Sequence, residues 1–520
     1  MKVQNPVLPG FRPDPSLVKA EDGYYIATST FEWFPGVCIH YSKDLVNWEI
    51  VSYALTDEDV FNIRGIDSAC GIWAPNLTWR DGVFYLLYTI VYTNRHRYKD
   101  THNFLVTARD VRGPWSKPIP LNKTGFDPSL FHDENGKKWL VNMKFDYRLD
   151  HKRFGGVLIQ EYNAKSQKLE GPIYNIFPGS EIGTTEGPNI FYHDGYYYLV
   201  MAEGGTEFKH CVTMCRAKEI TGPYEPCPYN PILTSFGKDD VRLKRAGHGQ
   251  IILGKDGNWY MAHLCSRCVD NFSIMGRETA IQNMRLTEDH WFVLDNNEGI
   301  YPADEFTIPG EVEIKPEKPG FVDFRDGRIP LDYMTLRQSA DSLGIVVEAG
   351  KCRIPGGNSL SSKYQVAYLA RRQQHLSYDF VARLEFNSAD YCYRAGICCY
   401  YNYDNYDFAY LVRDDDGREY VQVLAFENKK PTESERVYIE RRSEEIFFKA
   451  EVRKKELQFS YSLDGKEYRP FGEKLDMRIL SDEHVDWNGF TGAMVGVCCE
   501  DLGGEGCEAL VSCLNYQPME

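Results

Sequence analysis

Three acidic residues stand at corresponding points of a recurring pattern: Asp14 before Pro15, Asp127 before Pro128, and Glu186 ahead of Gly187-Pro188. Trp73-Ala74-Pro75 and His248-Gly249 mark the same point in two further copies. Taken singly, an Asp before Pro reads as a turn or capping residue. Gathered in one cavity, several carboxylates resist joint ionisation, so at least one is held protonated. One protonated acid and one ionised carboxylate are what hydrolysis of a glycosidic bond needs, and a third can tune the acid and orient a sugar. The competing chemistry is a cation held by the same three with His248. Residue types alone leave both open.

The elements that must bring these residues together follow from the repeat. Each copy runs from the marked residue into an apolar strand, turns at Asp22-Gly23, Asp81-Gly82, Asn135-Gly136, Asp194-Gly195 or Asp256-Gly257, and returns as an aromatic-rich strand. Such dipeptides between apolar runs are strong hairpin signals. The copies recur about every 60 residues, which leaves room for four strands in each. Five such units predict a five-bladed β-propeller over residues 1–305. The first strand of a blade lines the central channel, so Asp14, Trp73 or Ala74, Asp127, Glu186 and His248 are expected around one pocket. Pro302, Pro309, Pro316 and Pro319 then mark a linker, 306–322. Beyond it, 323–520 read as an antiparallel jelly-roll (concanavalin A-like) β-sandwich: Tyr378, Phe380, Ala382, Leu384 and Phe386 alternate with polar neighbours, as do Leu457, Phe459, Tyr461 and Leu463. The fold class is therefore all-β.

Aromatic residues make up 14% of the chain, which suits strands and sugar-stacking surfaces. The net charge of −16 would repel a nucleic acid and favours a neutral partner. No run of about 18 apolar residues predicts a membrane span, and Met1–Ser16 lacks the apolar core of a secretory leader. The 15 cysteines are odd in number and scattered, the pattern of reduced thiols in a cytoplasmic protein. Cys265 and Cys268 form a lone C-x-x-C with no second ligand pair, and a zinc or redox role there is not expected.

The ordered set of motifs resembles glycoside hydrolase family 43 β-xylosidases. The opening Asn5–Ser16 segment, Gly71–Pro75, Phe126–Leu130, Thr185–Pro188 and Gly276–Thr279 resemble successive blocks of that family, and Phe490–Gly496 resembles its appended sandwich. The resemblance implies an inverting mechanism with Asp14 as general base, Glu186 as general acid, and Asp127 raising the acid's pKa and holding the sugar. It also implies that Phe490, from the sandwich, closes a blind pocket and so confers exo-action. The expected substrate is a small oligosaccharide: xylose is released from non-reducing ends of short β-1,4-xylo-oligosaccharides, with terminal α-L-arabinofuranosyl groups as a second substrate or the main one. A lid built by a second domain also makes subunit contacts, and hence a homo-oligomer, an expectation.

Phe31 and Trp73 are candidate pocket walls, with blade-core packing as the plainer role. Arg277 could bind sugar hydroxyls or pair with Asp127. His248 could bind substrate, water or a central cation, or serve as a polar core residue. No cofactor is required, although a structural or central Ca2+ fits the same cluster. Two departures from the family pattern stand out. Asn189 replaces a frequent His and cannot ionise, and Cys70 lies close to the expected pocket, which would make activity thiol-sensitive. Two other readings fit a propeller less well: a retaining fructan-cleaving enzyme, whose Asn-Asp-Pro-Asn start is absent, and a non-catalytic glycan-binding protein, which has no need of three acidic residues.

Overall fold

The computed structural model describes residues 1–317, 320–486 and 489–519. Pro319, one of the expected linker prolines, lies outside the described residues. Those residues fold almost wholly as β-strands, with one 3-10 turn at Met477–Ile479. Five sheets of antiparallel strands form the blades of a propeller, each built from consecutive strands except the first, which leaves out the short strand Trp33–Phe34. Their innermost strands are Ser16–Lys19, Gly71–Arg80, Ser129–His132, Glu186–His193 and Leu243–Leu253. These five contact one another in a closed ring, the first touching the second and the fifth. The fourth blade carries an additional short strand, Leu233–Thr234, beside Cys211–Ala217. At Asp81-Gly82 and Asp194-Gly195 both residues take positive φ, the backbone that a tight hairpin with right-twisted strands demands.

The ring is closed without exchanging a strand within a blade. Instead Lys2–Gln4 pairs with Glu305–Thr307, and the N-terminal amine donates to Ile308 O. The opening residues of the predicted linker thus fasten the propeller's two ends. Adjacent blades are tied by the side chains that directly follow Pro15, Pro75, Pro128 and Pro188. Ser16 Oγ accepts from the Leu77 N–H at 2.8 Å, and Asn76 Oδ1 accepts from the Leu130 N–H at 3.0 Å. Ser129 Oγ donates to Pro188 O at 2.6 Å, and Asn189 Nδ2 donates to Gly249 O at 3.1 Å. Satisfying buried backbone groups this way fixes each blade's tilt against its neighbour.

The second domain is a two-sheet sandwich. In Ser377–Glu385, Tyr378, Phe380, Ala382 and Leu384 all face the inter-sheet core, with Phe386 just beyond, as the alternation predicts. Leu457, Phe459 and Tyr461 do likewise, whereas Leu463 is exposed because it already belongs to the Asp464-Gly465 turn. The outer face of one sandwich sheet, with Tyr400, Tyr406, Phe408 and Tyr410, shares a single apolar core with the first two blades. The join goes further. Trp33–Phe34, from the first blade's sequence, pairs with Tyr333–Leu336 and becomes an edge strand of the sandwich. Phe31 therefore sits two residues from a strand of the other domain. No described helix is long and apolar enough to cross a membrane.

Candidate active site

The backbone at the centre of the ring is left-handed where few side chains tolerate it: φ is 55° at Asp14, 53° at Asp127, 56° at Gly187 and 49° at His248. Holding Asp and His in this region costs free energy and persists only where packing enforces it, a pattern concentrated at functional sites. The equivalent of Asp14 and Asp127 in the fourth blade is thus Gly187, and Glu186 stands one residue earlier. A Cβ at Gly187 would come within 2.9 Å of the His248 ring, so glycine lets the two blades close.

Asp14, Asp127, Glu186, Trp73, Phe31, His248, Arg277 and Phe490 all line one pocket of about 700 Å³. Its aromatic wall is continuous: Trp73 lies 5.6 Å from Phe490 and 5.4 Å from Phe126, and Phe31 lies 6.3 Å from Phe490 between ring centres. Trp73 is fixed by its Nε1–H, which donates to Ala69 O at 2.9 Å. Phe31 is fixed by a backbone pair with Ile72. Phe31 is also nearly inaccessible to solvent, so its two expected roles, wall and core, coincide.

The carboxylates occupy unlike settings. Asp14 accepts from Arg277 Nη1 at 2.8 Å and from Ser29 Oγ at 2.6 Å, with His248 Nδ1 3.7 Å away. Arg277 therefore pairs with Asp14, not with Asp127; it is reached because Gly276–Thr279 runs antiparallel beside the N-terminal segment, with the Arg12 N–H bonded to Arg277 O. Its Nη2 also donates to Phe490 O at 3.1 Å, which links the anion of the first blade to the aromatic of the sandwich. Asp127 accepts one bond, from the Gly187 N–H at 2.9 Å. Burial, then the charges of Glu186 and Asp14, push its carboxyl well above the usual range. Glu186 is raised too, first by burial and then by Asp14, against the pull of Lys99 and Arg277. Blades three and four are neighbours, so Asp127 and Glu186 titrate as a pair, and the raise on both favours a proton held between them. His210, buried, and His248, part-buried, are both pushed toward the neutral form, chiefly by loss of solvent.

Sequence reasoning missed three contributors. Lys99, at the start of Tyr98–Ala108, has its Nζ 4.4 Å from the Trp73 ring centre and 4.8 Å from that of Phe126. Burial lowers its pKa while Glu186 and Asp127 raise it. Ser29 fixes Asp14. Glu203 accepts from Thr185 Oγ1 and Ser180 Oγ, both at 2.7 Å, and so anchors the segment that carries Glu186. None stands at the repeat's marked position, and nothing in the polar opening of its strand, Tyr-Lys-Asp-Thr-His, singles out Lys99.

Two expectations change. Cys70 is fully buried, and burial with the nearby charges of Asp67 and Glu32 pushes its thiol up to about 12, so it offers no reactive thiolate to the pocket. Asn189 lines the narrow channel beneath the ring with Ser16, Asn76 and Gln250, where its amide is committed to Gly187 O and Gly249 O. Among the described residues, no group of three or more His, Cys, Asp or Glu is placed to hold a metal ion.

Residues 3–292 match the family model described as glycosyl hydrolases family 43, and residues 322–517 match the β-xylosidase C-terminal concanavalin A-like domain. The chain belongs to glycosyl hydrolase family 43. This family-43 chain superposes on a xylan β-1,4-xylosidase from Bacillus halodurans C-125 with a TM-score of 0.96 at 40% identity, covering 99% of this chain and 100% of that one. It is 39% identical to xylosidase/arabinosidase 43B of Humicola insolens over 100% of this chain and 98% of the relative. It is 38% identical to a xylan 1,3-beta-xylosidase of a Vibrio species over 97% of each. The protein is thus a glycosidase of the propeller-plus-sandwich type.

Proposed function

We propose that this family-43 chain is an exo-acting, inverting β-xylosidase that removes xylose from the non-reducing ends of short xylo-oligosaccharides. The observation that carries the reading is the pocket's composition: two unlike carboxyl environments line one cavity with aromatic walls, and one wall, Phe490, comes from the second domain. Asp14, paired with a guanidinium and a hydroxyl, suits a base that takes a proton from water. Glu186, whose carboxyl is raised by burial and by the Asp14 charge, suits an acid that protonates the leaving oxygen. Asp14 and Glu186 come from non-adjacent blades, one and four, which supports the wider spacing that admits a water and inverts the anomeric carbon. Lys99 and the pocket aromatics would hold the sugar's hydroxyls and its apolar faces.

A second activity, release of terminal α-L-arabinofuranosyl groups, is supported by the likeness to the Humicola enzyme named for both. The β-1,4 linkage is supported by the Bacillus halodurans likeness, while the Vibrio relative makes β-1,3 the linkage to test beside it. The reaction would run on side chains alone, on a neutral substrate, in a cytoplasmic homo-oligomer. Assay on 4-nitrophenyl β-D-xylopyranoside, 4-nitrophenyl α-L-arabinofuranoside and the two xylobioses tests the reading. Turnover is expected on the xyloside and on β-1,4-xylobiose; no release from any of them would overturn it.

A further inference from the structure

Three segments that end in the pocket meet at one guanidinium outside it. Residues 204–207 line the pocket directly. Ser273 opens the loop that ends in Arg277, the partner of Asp14. Asp482 and Glu483 belong to the sandwich, and the Asp482 backbone lies directly against Gly489, the residue before Phe490, where an added Cβ would come within 2.6 Å of the Asp482 Cα. Arg245, on the innermost strand of the fifth blade, reaches all three. Its Nε donates to Thr206 O at 2.9 Å, and its Nη1 donates to Ser273 Oγ at 2.6 Å and to Glu483 Oε1 at 3.0 Å. Its Nη2 forms an ion pair with Asp482 Oδ2 at 2.8 Å. Glu483 also accepts from the Ser273 N–H at 2.8 Å, and the other Asp482 oxygen accepts from Tyr401 OH. The carbonyl of Arg245 lies 3.3 Å from Nδ1 of His210, another pocket residue.

The side chain is 2% exposed. A fully desolvated ion pair is a poor source of net stability, because well-packed apolar residues often do as well or better. What a planar fork with fixed donor directions does supply is geometry, and a lysine cannot reproduce it. Arg245 also takes left-handed backbone, φ 55°, three residues before His248. The strain is thus placed where it aims this fork at the domain boundary.

We propose that Arg245 is a positioning residue: it sets the placement of the Phe490 segment, the Arg277 loop and the 204–207 wall relative to one another, and through them the closure of the sugar pocket. The proposal rests on the pocket reading above. Substrate and product should therefore be held less tightly without the fork, while the protonation of the acid and of the base is unaffected.

The test uses the full chain, with Arg245→Lys, Phe490→Ala and the double variant, each checked for folding by its melting transition. For Arg245→Lys, KM for 4-nitrophenyl β-D-xyloside and the inhibition constant for xylose should each rise about ten-fold, with kcat within about three-fold and both limbs of the pH profile in place. In the Phe490→Ala background the same substitution should add little, because the two act through one element. Where Arg245→Lys does not fold, Glu483→Gln carries the same expectation. Unchanged KM and xylose inhibition in a folded variant would overturn the proposal, and so would effects that simply multiply with those of Phe490→Ala. Lack of turnover in the unmodified chain would instead sink the β-xylosidase reading itself.

Discussion

Asp14 and Asp127 hold the same place in their blades, each with left-handed backbone and a proline behind it, yet they keep opposite company. Asp14 faces a guanidinium and a serine hydroxyl. Asp127 has one backbone amide and a neighbouring acid in the adjacent blade. A repeat therefore delivers carboxylates to one centre, while what differs between blades decides their chemistry. The Asp14 side offers a carboxyl with a cationic and a hydroxyl partner, and the Asp127–Glu186 side offers two carboxyls that are both raised.

The most severe way to break this contrast is to remove its working ends. Glu186→Gln or Asp14→Asn should lower kcat by about 100- to 10,000-fold, the range of a lost proton transfer, with the fold intact by melting transition. A loss below ten-fold in both would mean that neither moves a proton.

Asp127→Asn should cost less in rate and should move the pH profile. Glu186 raises the Asp127 carboxyl, and within such a pair the effect is mutual, so removing Asp127 should let Glu186 ionise sooner. The alkaline limb of kcat/KM should shift to lower pH. Lys99→Met makes the opposite change, because the Lys99 charge pulls the Glu186 pKa down. Its alkaline limb should shift to higher pH. Shifts of the same sign in the two variants would contradict the assignment.

Phe490→Ala should raise KM by about 10- to 100-fold, in keeping with the loss of ~1.5–3 kcal/mol of aromatic burial, and should affect kcat less. The smallest effect is expected beneath the ring. Asn189→Ala removes two backbone contacts and should destabilise the propeller by about 1–3 kcal/mol without moving either limb of the pH profile.

The blades were legible because each is local: a turn dipeptide and two apolar strands lie within one stretch of chain. The carboxylates were legible because they share the repeat's phase. The repeat misplaced Glu186 by one position, since Gly187 takes the strained backbone there. Contacts made across the fold were not legible. Arg277 reaches Asp14 because a late loop runs beside the N-terminal segment, and Lys99 enters the pocket from a third strand with no motif. Phe490 was found through family resemblance alone. The two-residue strand Trp33–Phe34, which joins the first blade to the sandwich, is too short to leave a periodic signal.

The central claim is that a water activated at Asp14 attacks opposite a leaving group protonated by Glu186. NMR of the sugar released from 4-nitrophenyl β-D-xylopyranoside, recorded before mutarotation, tests it directly. The account predicts α-xylose as the first product; β-xylose would contradict it.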